Sequence, residues 1–315
     1  MQAGALKLKP ATKDYIWGGT KLKTEWGKTA DTETVAECWE LSTYPGSQSE
    51  IDDVRFKGYT LSKLLEKYPE FFGEKVKKFK VFPVLIKLLD ASGDLSVQVH
   101  PSDEYALKNE GEYGKTEMWY VLDAEEDAYI YYGFNREVCA DEVKKAVSEN
   151  AITTLLNKVY VQKGDFFCVP AGTVHALCRG VTVYEVQENS NLTYRVYDYD
   201  RIGKDGKPRE LHLEKALEVM DFSPARTVNE AAVKLVGDAT VRKLVKTDYF
   251  NVKEVRIRGE YLMYSPDSFM TFTVAEGNGE IEGGVSFKKG ESYFLPACQM
   301  YKLRAENALI IVTTL

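Results

Sequence analysis

"VQKGDFFCVPAGTVHAL", residues 161–177, returns later in the chain as "FKKGESYFLPACQMYKL", residues 287–303. Both copies carry Lys-Gly-acid, two aromatic positions and Pro-Ala at the same spacing. Each reads as a strand, a tight glycine turn, a strand entering a Pro-Ala turn, and a further strand. One β unit therefore occurs twice. The copies differ after the Pro-Ala turn, where the first has His175 and the second has Met300 and Tyr301 with no histidine. The first copy is expected to carry chemistry and the second to be structural. Around them, the runs 81–100, 117–133, 159–169, 181–187 and 193–199 are rich in Val, Ile, Tyr and Phe and are punctuated by Gly, Pro, Asp and Asn. That pattern predicts many short antiparallel strands in a sandwich or barrel. Helical periodicity is confined to 60–79, 102–110, 141–149 and 212–220, with Ser102 and Asp141 as expected N-caps. The segment 221–235, with Pro224 and mixed polar residues, is the expected junction between a first domain over 1–235 and a smaller β domain over 236–315.

The bulk properties limit the function. A chain of 315 residues has room for about two domains. Its 44% hydrophobic and 28% charged residues are those of an ordinary soluble protein. Forty-eight acidic against 41 basic side chains argue against a broad nucleic-acid surface, while a local cluster of cations can still hold a small anion. No stretch approaches the roughly 20 apolar residues of a membrane span. The start, MQAGALKLKPATKDYIWGG, has no signal-peptide pattern. Five scattered cysteines without a C-x-x-C motif predict reduced thiols and a cytoplasmic location.

Two of the three histidines stand at expected strand ends. In "LSVQVHPSDEY", residues 95–105, Ser96, Gln98 and His100 alternate and so share a face of an extended strand, which Pro101 then stops. His175 follows the Pro-Ala-Gly turn, and Glu117 opens the apolar run KTEMWYVL, residues 115–122. Acid, amide and imidazole donors suit zinc or another divalent ion, and two His with one Glu leave a coordination position open. Taken singly, each has a plainer reading: a satisfied core histidine at 100, a turn histidine bonded to backbone at 175, an exposed strand-end carboxylate at 117.

The order Gln98-x-His100, Glu117, then Pro170 to His175 follows the layout of the cupin barrel. The chain resembles the type I (cupin) mannose-6-phosphate isomerases, also called phosphomannose isomerases, in their short bacterial form. The resemblance covers nearly the whole chain: Trp17-Gly18-Gly19, Ala36 to Ser42, Pro83 to Leu89, Leu95 to Pro101, Lys115-Thr116-Glu117-Met118-Trp119, Pro170 to Ala176, and Thr193-Tyr194-Arg195-Val196-Tyr197-Asp198. The residue after His-Pro, often Asp in the family, is Ser102 here, with Asp103 next. The long helical insertion of larger members is absent. The resemblance implies a mainly β fold, a double cupin of antiparallel β-barrel or jelly-roll type. Helical decorations fall in a catalytic N-terminal part, and the second cupin is metal-free.

It further implies one Zn2+ per chain held by His100, Glu117 and His175, with Gln98 matching a ligand of longer members, and Arg195 as the active-site arginine. The reaction implied is interconversion of D-mannose 6-phosphate and D-fructose 6-phosphate through a cis-enediol. Zinc would polarise the substrate oxygens, and Arg195 would add a fixed cation near the enediolate. Lys115 and Ser96 stand two residues before Glu117 and Gln98, on the same faces, and suit phosphate or sugar hydroxyls. Lys87 joins them as a phosphate candidate by resemblance; a solvent-facing lysine is the alternative for both lysines. Trp17 and Trp39 are expected in the core or pocket wall, and Glu188 is one candidate proton carrier, or a solvated loop acid. The partner expected is a small phosphosugar, with no nucleic acid, membrane or protein partner implied. A cupin metalloenzyme of dioxygenase type and a non-catalytic phosphosugar-binding cupin are the rival readings.

Overall fold

The computed structural model describes residues 3–203, 206–225 and 230–315. The architecture is three packed antiparallel sheets with short helices at the margins. A six-stranded sheet lies in the middle, ordered Phe166–Val169, Glu117–Ala124, Val181–Glu188, Val84–Ala91, Glu37–Leu41, Ala11–Lys13. Its central strands, VLIKLLDA and VTVYEVQE, are buried at every residue. They read as nearly continuous apolar runs because both of their faces are covered.

Leu89, Trp119, Val183 and other residues of one face join Ile130 and Leu177 of a five-stranded sheet in a shared core. That second sheet runs Tyr194–Tyr197, Val97–Val99, His175–Leu177, Tyr129–Phe134, Leu156–Tyr160, so the two sheets make the first barrel. The opposite face, with Leu88, Met118, Tyr184 and Val186, packs against Phe294 and Ile311 of a ten-stranded sheet and against Phe250 and Phe269, which stand just before two of its strands. The strict alternation of Leu88 with Leu89 and Tyr184 with Val183 is the period of two expected of strands between two cores.

The ten-stranded sheet is built mostly from the chain after Val233, around the long pair Asn251–Tyr264 and Met300–Thr314. It encloses a second core of Val255, Phe272, Tyr293, Ile310 and Val312. Two strands come from the chain's beginning: Leu6–Lys9 pairs with Ser292–Leu295, and Glu50–Ile51 pairs with Leu6–Lys9. The protein is thus mainly β with two cupin-like barrels, as expected, and its first residues help to close the second.

The repeat is structural. Gly164 and Gly290 sit at φ 93° and 85°, each opening a strand, Phe166–Val169 and Ser292–Leu295. Asp165 accepts the Gln162 N–H at 2.9 Å and Glu291 accepts the Lys288 N–H at 3.0 Å, the same turn made twice. After Pro-Ala, Gly172 at φ 88° is matched by Cys298 at φ 59°. Tyr301 then occupies the place of His175 and donates its buried hydroxyl to Pro296 O at 3.1 Å. The second copy fills with a phenol the position where the first presents an imidazole.

Two local expectations need correction. The periodic segment 60–79 is one helix only over Leu61–Lys67, followed by 3-10 turns at Pro69–Phe71 and Glu74–Lys78. Pro69 lacks a backbone donor and forces Tyr68 out of the helical region, to φ −137° and ψ 58°. The helix Ala140–Ser148 begins before Asp141, with Cys139 at the N-cap and the Glu142 carboxylate accepting its N–H at 3.1 Å. Ser102 caps Asp103–Asn109 as expected. Residues 226–229 of the expected junction lie outside the described residues.

Candidate active site

Three strands of the five-stranded sheet place His175, Gln98 and Arg195 in one row, since Gln98 is paired with His175 on one side and with Arg195 on the other. Directly opposite residues of an antiparallel sheet share a face. His100 follows two residues after Gln98, and Pro101 ends the strand there. Glu117 arrives from the facing sheet, at the first residue of Glu117–Ala124. Donor atoms of His100, Glu117 and His175 all lie within 4.8 Å of one another, and none of the three is more than 1% exposed.

The electrostatics of this trio favour a cation. His100 Nδ1 donates to Leu192 O at 3.0 Å and His175 Nδ1 donates to Thr173 O at 2.8 Å. A carbonyl only accepts, so Nδ1 carries the proton and each Nε2 keeps its lone pair. Those Nε2 atoms face the Glu117 carboxylate at 3.5 and 3.2 Å. Burial, with Lys115 nearby, lowers the His100 pKa to about 3, and burial lowers His175 also. Burial alone would raise Glu117, but the Lys115 ammonium at 3.1 Å holds its carboxyl well below the usual range.

The result is two neutral imidazoles and one carboxylate, the donor set of a zinc site. His100 Nε2 and both Glu117 carboxylate oxygens are buried without an aligned hydrogen-bond partner. Buried polar atoms are rarely left in that state, and a divalent cation among them satisfies all three. Gln98 presents its carboxamide to His175 Nε2 at 3.4 Å, with its other end 3.4 Å from Ser96 Oγ. Turning the amide over brings its oxygen to the same point as a fourth donor.

Beside the trio lies a cavity of about 250 Å3, lined by Ser96, Gln98, Lys115, Lys87 and Arg195. All five were singled out in the sequence, and the fold gathers them with the three metal-ligand candidates. Lys87 and Lys115 are both buried rather than solvent-facing. Lys87 Nζ is 3.2 Å from Glu185 and 3.7 Å from Glu37 and sits over the Trp39 ring. Burial opposes its charge, but the two carboxylates prevail and hold its pKa above the ordinary lysine value. Trp17 is pocket wall and Trp39 core, as expected.

Glu188 is neither solvated nor on the cavity. It is buried and accepts the Thr116 N–H at 2.6 Å, and burial with Asp103 nearby pushes it up to about 8. Sequence reasoning missed Glu37, Glu185, Asn191, Thr193 and Arg209, which also line the cavity. Glu185 had a legible signal, an acid in the middle of the apolar run VTVYEVQE. Arg209 had none, because the loop after Asp198 carries it back to the site.

A cupin barrel with a buried His-Glu-His cluster able to hold a metal, beside a polar cavity, is the layout of a cupin enzyme. The profile "Phosphomannose isomerase type I, catalytic domain" matches residues 5–153, and "Mannose-6-phosphate isomerase, cupin domain" matches residues 240–314. Mannose-6-phosphate isomerase ManA of Bacillus subtilis (strain 168) is 39% identical over 94% of both chains. The mannose-6-phosphate isomerase of Streptococcus mutans serotype c is 39% identical over 89% of both. The crystal structure of mannose 6-phosphate isomerase from Bacillus subtilis superposes with a TM-score of 0.91 at 37% identity, covering 98% of this chain and 99% of that one. The chain belongs to the type I phosphomannose isomerase family.

Proposed function

We infer that this chain interconverts mannose 6-phosphate and fructose 6-phosphate, with one zinc ion held by His100, Glu117, His175 and Gln98. The observation that carries the reading is the convergence of buried ligand atoms of His100 and Glu117, none with an aligned hydrogen bond, beside a cavity lined with cations. Zinc bound there supplies a Lewis acid for the carbonyl and hydroxyl oxygens at C1 and C2.

The remaining steps belong to side chains. Arg195, in register with Gln98, offers a permanently charged guanidinium to the oxygens on which charge grows as the enediol forms. Glu185 lines the cavity next to Lys87, and burial raises its carboxyl above the usual range. A carboxylate so placed is suited to take the C2 proton and return it to C1. Lys115 and Ser96 serve the sugar oxygens, and Lys87 keeps Glu185 charged and in place. Catalysis belongs to the domain over 1–235, with the domain over 236–315 metal-free. The free cysteines support a cytoplasmic location; no helix of the described residues is long and apolar enough to cross a membrane.

The test is to incubate the zinc-loaded protein with mannose 6-phosphate in D2O and follow the sugar by NMR. Fructose 6-phosphate carrying some deuterium at C1 is expected, from exchange of the proton carrier with solvent. Oxygen uptake without ketose would support the dioxygenase reading, and tight binding without turnover the non-catalytic one.

A further inference from the structure

The repeat extends past the Pro-Ala turn into the walls of the two barrels. In the first, the strand beside Val181–Glu188 bulges opposite Thr182 and Val183; in the second, the strand beside Met300–Thr314 bulges opposite Leu309 and Ile310. A bulge shifts the pairing by one residue at a fixed place, so it matches Val183 with Ile310 and, two residues on, Glu185 with Val312. The rows across the two sheets then correspond. The first barrel's row is Trp39, Lys87, Glu185, Trp119, and the second's is Lys243, Lys253, Val312, Phe272. Lys253 stands where Lys87 stands, and an apolar side chain replaces the carboxylate beside it.

That exchange leaves Lys253 without a counterion. Its Nζ reaches into the second barrel, 3.5 Å from the hydroxyl of Tyr261, which belongs to the second core. Glu254, next in the strand, lies on the opposite face and pairs with Arg242 at 2.9 Å. Lys243 is directly opposite Lys253, and Lys246 is opposite Asn251, two residues along the same strand. Opposite residues share a face, so the three lysines serve one side of the sheet. Among the described residues, no carboxylate pairs with any of them. At Lys87 burial opposes the charge and two carboxylates overcome it; at Lys253 burial and then Lys243 both lower the pKa. Cations gathered in this way are one half of an ion pair that a ligand completes.

There is room for that ligand. A cavity of about 470 Å3 is lined by Lys243, Lys246, Asn251, Lys253, Val312 and Thr314, and shares no residue with the cavity beside the metal ligands. Asn251 and Thr314 are paired in register and add an amide and a hydroxyl to the ammonium donors. An ammonium is a compact point charge that takes phosphate or carboxylate without a fixed fork.

We propose that the mouth of the second barrel is an anion-binding site: Lys253 and Lys243 hold the charged group of a small dianion, a phosphate monoester or a dicarboxylate, and Asn251 and Thr314 bond its oxygens. The site stands whether or not the isomerase reading does.

In its test, zinc-loaded wild type, Lys253→Met and Lys253→Arg are titrated calorimetrically with inorganic phosphate and, separately, with succinate. Anion taken up beside the metal ligands is common to the three proteins and cancels in the comparison. Methionine keeps an unbranched apolar side chain in the barrel, so the fold is expected to persist, as a thermal melt checks. Loss of the ammonium is expected to weaken one site by about tenfold to a hundredfold, and arginine to recover part of it. Lys243→Gln, a change at an exposed residue, is expected to weaken the same site and takes the place of Lys253→Met if that variant does not fold. The anion whose binding falls in the variants names the ligand class, phosphate for a phosphate ester and succinate for a dicarboxylate. Isotherms for both anions that match wild type in Lys253→Met and Lys243→Gln would overturn the site.

Discussion

Glu117 is the residue on which the site turns, because it is the one carboxylate facing both imidazoles and Lys115. Glu117→Gln keeps the shape and removes the charge. We expect it to lose bound zinc, by more than the roughly hundredfold that removing an outer partner of a ligand costs, and to lose turnover with it. Metal analysis of the purified variant checks this. The same residues predict a pH dependence for the metal-free protein. His100 titrates at about 3 when folded against an ordinary value of 6.5, so between those values the unfolded chain holds the extra proton. Stability then rises with pH and is lost as pH falls below about 6.5, with a slope of about 1.4 kcal/mol per pH unit for each such group. His175 is shifted in the same direction and steepens the loss. Denaturant unfolding at pH 7, 6 and 5 measures it, and a flat profile contradicts it. At this scale the sequence was most legible where a residue type is chemically demanding, as with His100, Glu117 and His175. It was least legible for Lys87 and Lys115, whose burial depends on carboxylates reaching them from other strands.

Turns rather than strands fix the donors. His175 is delivered by the turn around Gly172, whose N–H donates to His100 O at 2.8 Å and whose carbonyl accepts from Asp221 at 2.8 Å. Gly172 has φ 88°, and an added Cβ would stand 3.0 Å from Val219 O. Gly172→Ala is expected to destabilise by about 1–2 kcal/mol from the left-handed backbone alone. It should also weaken zinc retention, because His100 and His175 are both tied to this turn. A thermal melt with and without zinc reads both effects; unchanged melts would show that the turn can adapt. The Pro-Ala motif and its repeat showed this element in the sequence because glycine, proline and acid are required at set positions of tight turns. The helix expected over 60–79 was misread for the complementary reason: its apolar period continues through Pro69 and Gly73, where the backbone cannot.

Across the whole molecule, the two barrels share structure that a linear division hides. Leu6–Lys9 completes the second barrel's sheet. Buried Lys28 and Glu40, 2.5 Å apart, contact Gly290 O and Ser292 Oγ of the repeat's second copy. Tyr249 donates to Asp103 at 2.8 Å, and Asp103 holds the Gly114 N–H just before Lys115. A fragment ending at residue 235 would expose Leu88, Tyr184 and the rest of that face and leave Lys28–Glu40 without those partners. We expect it not to fold cooperatively, as read by circular dichroism and limited proteolysis; a compact, zinc-binding fragment would contradict this. The sequence showed two units because their strand patterns are local. It did not show their interlock, because pairing between residues nearly 300 positions apart leaves no local trace.

The most direct test of the central claim, that the buried trio holds the ion on which isomerisation depends, is stepwise removal and return of zinc. Metal content and fructose 6-phosphate formation from mannose 6-phosphate are measured at each step. The account predicts one zinc per chain at full activity, activity falling in proportion as a chelator removes it, and recovery on re-addition in wild type but not in Glu117→Gln. Full turnover by protein stripped of metal would contradict it.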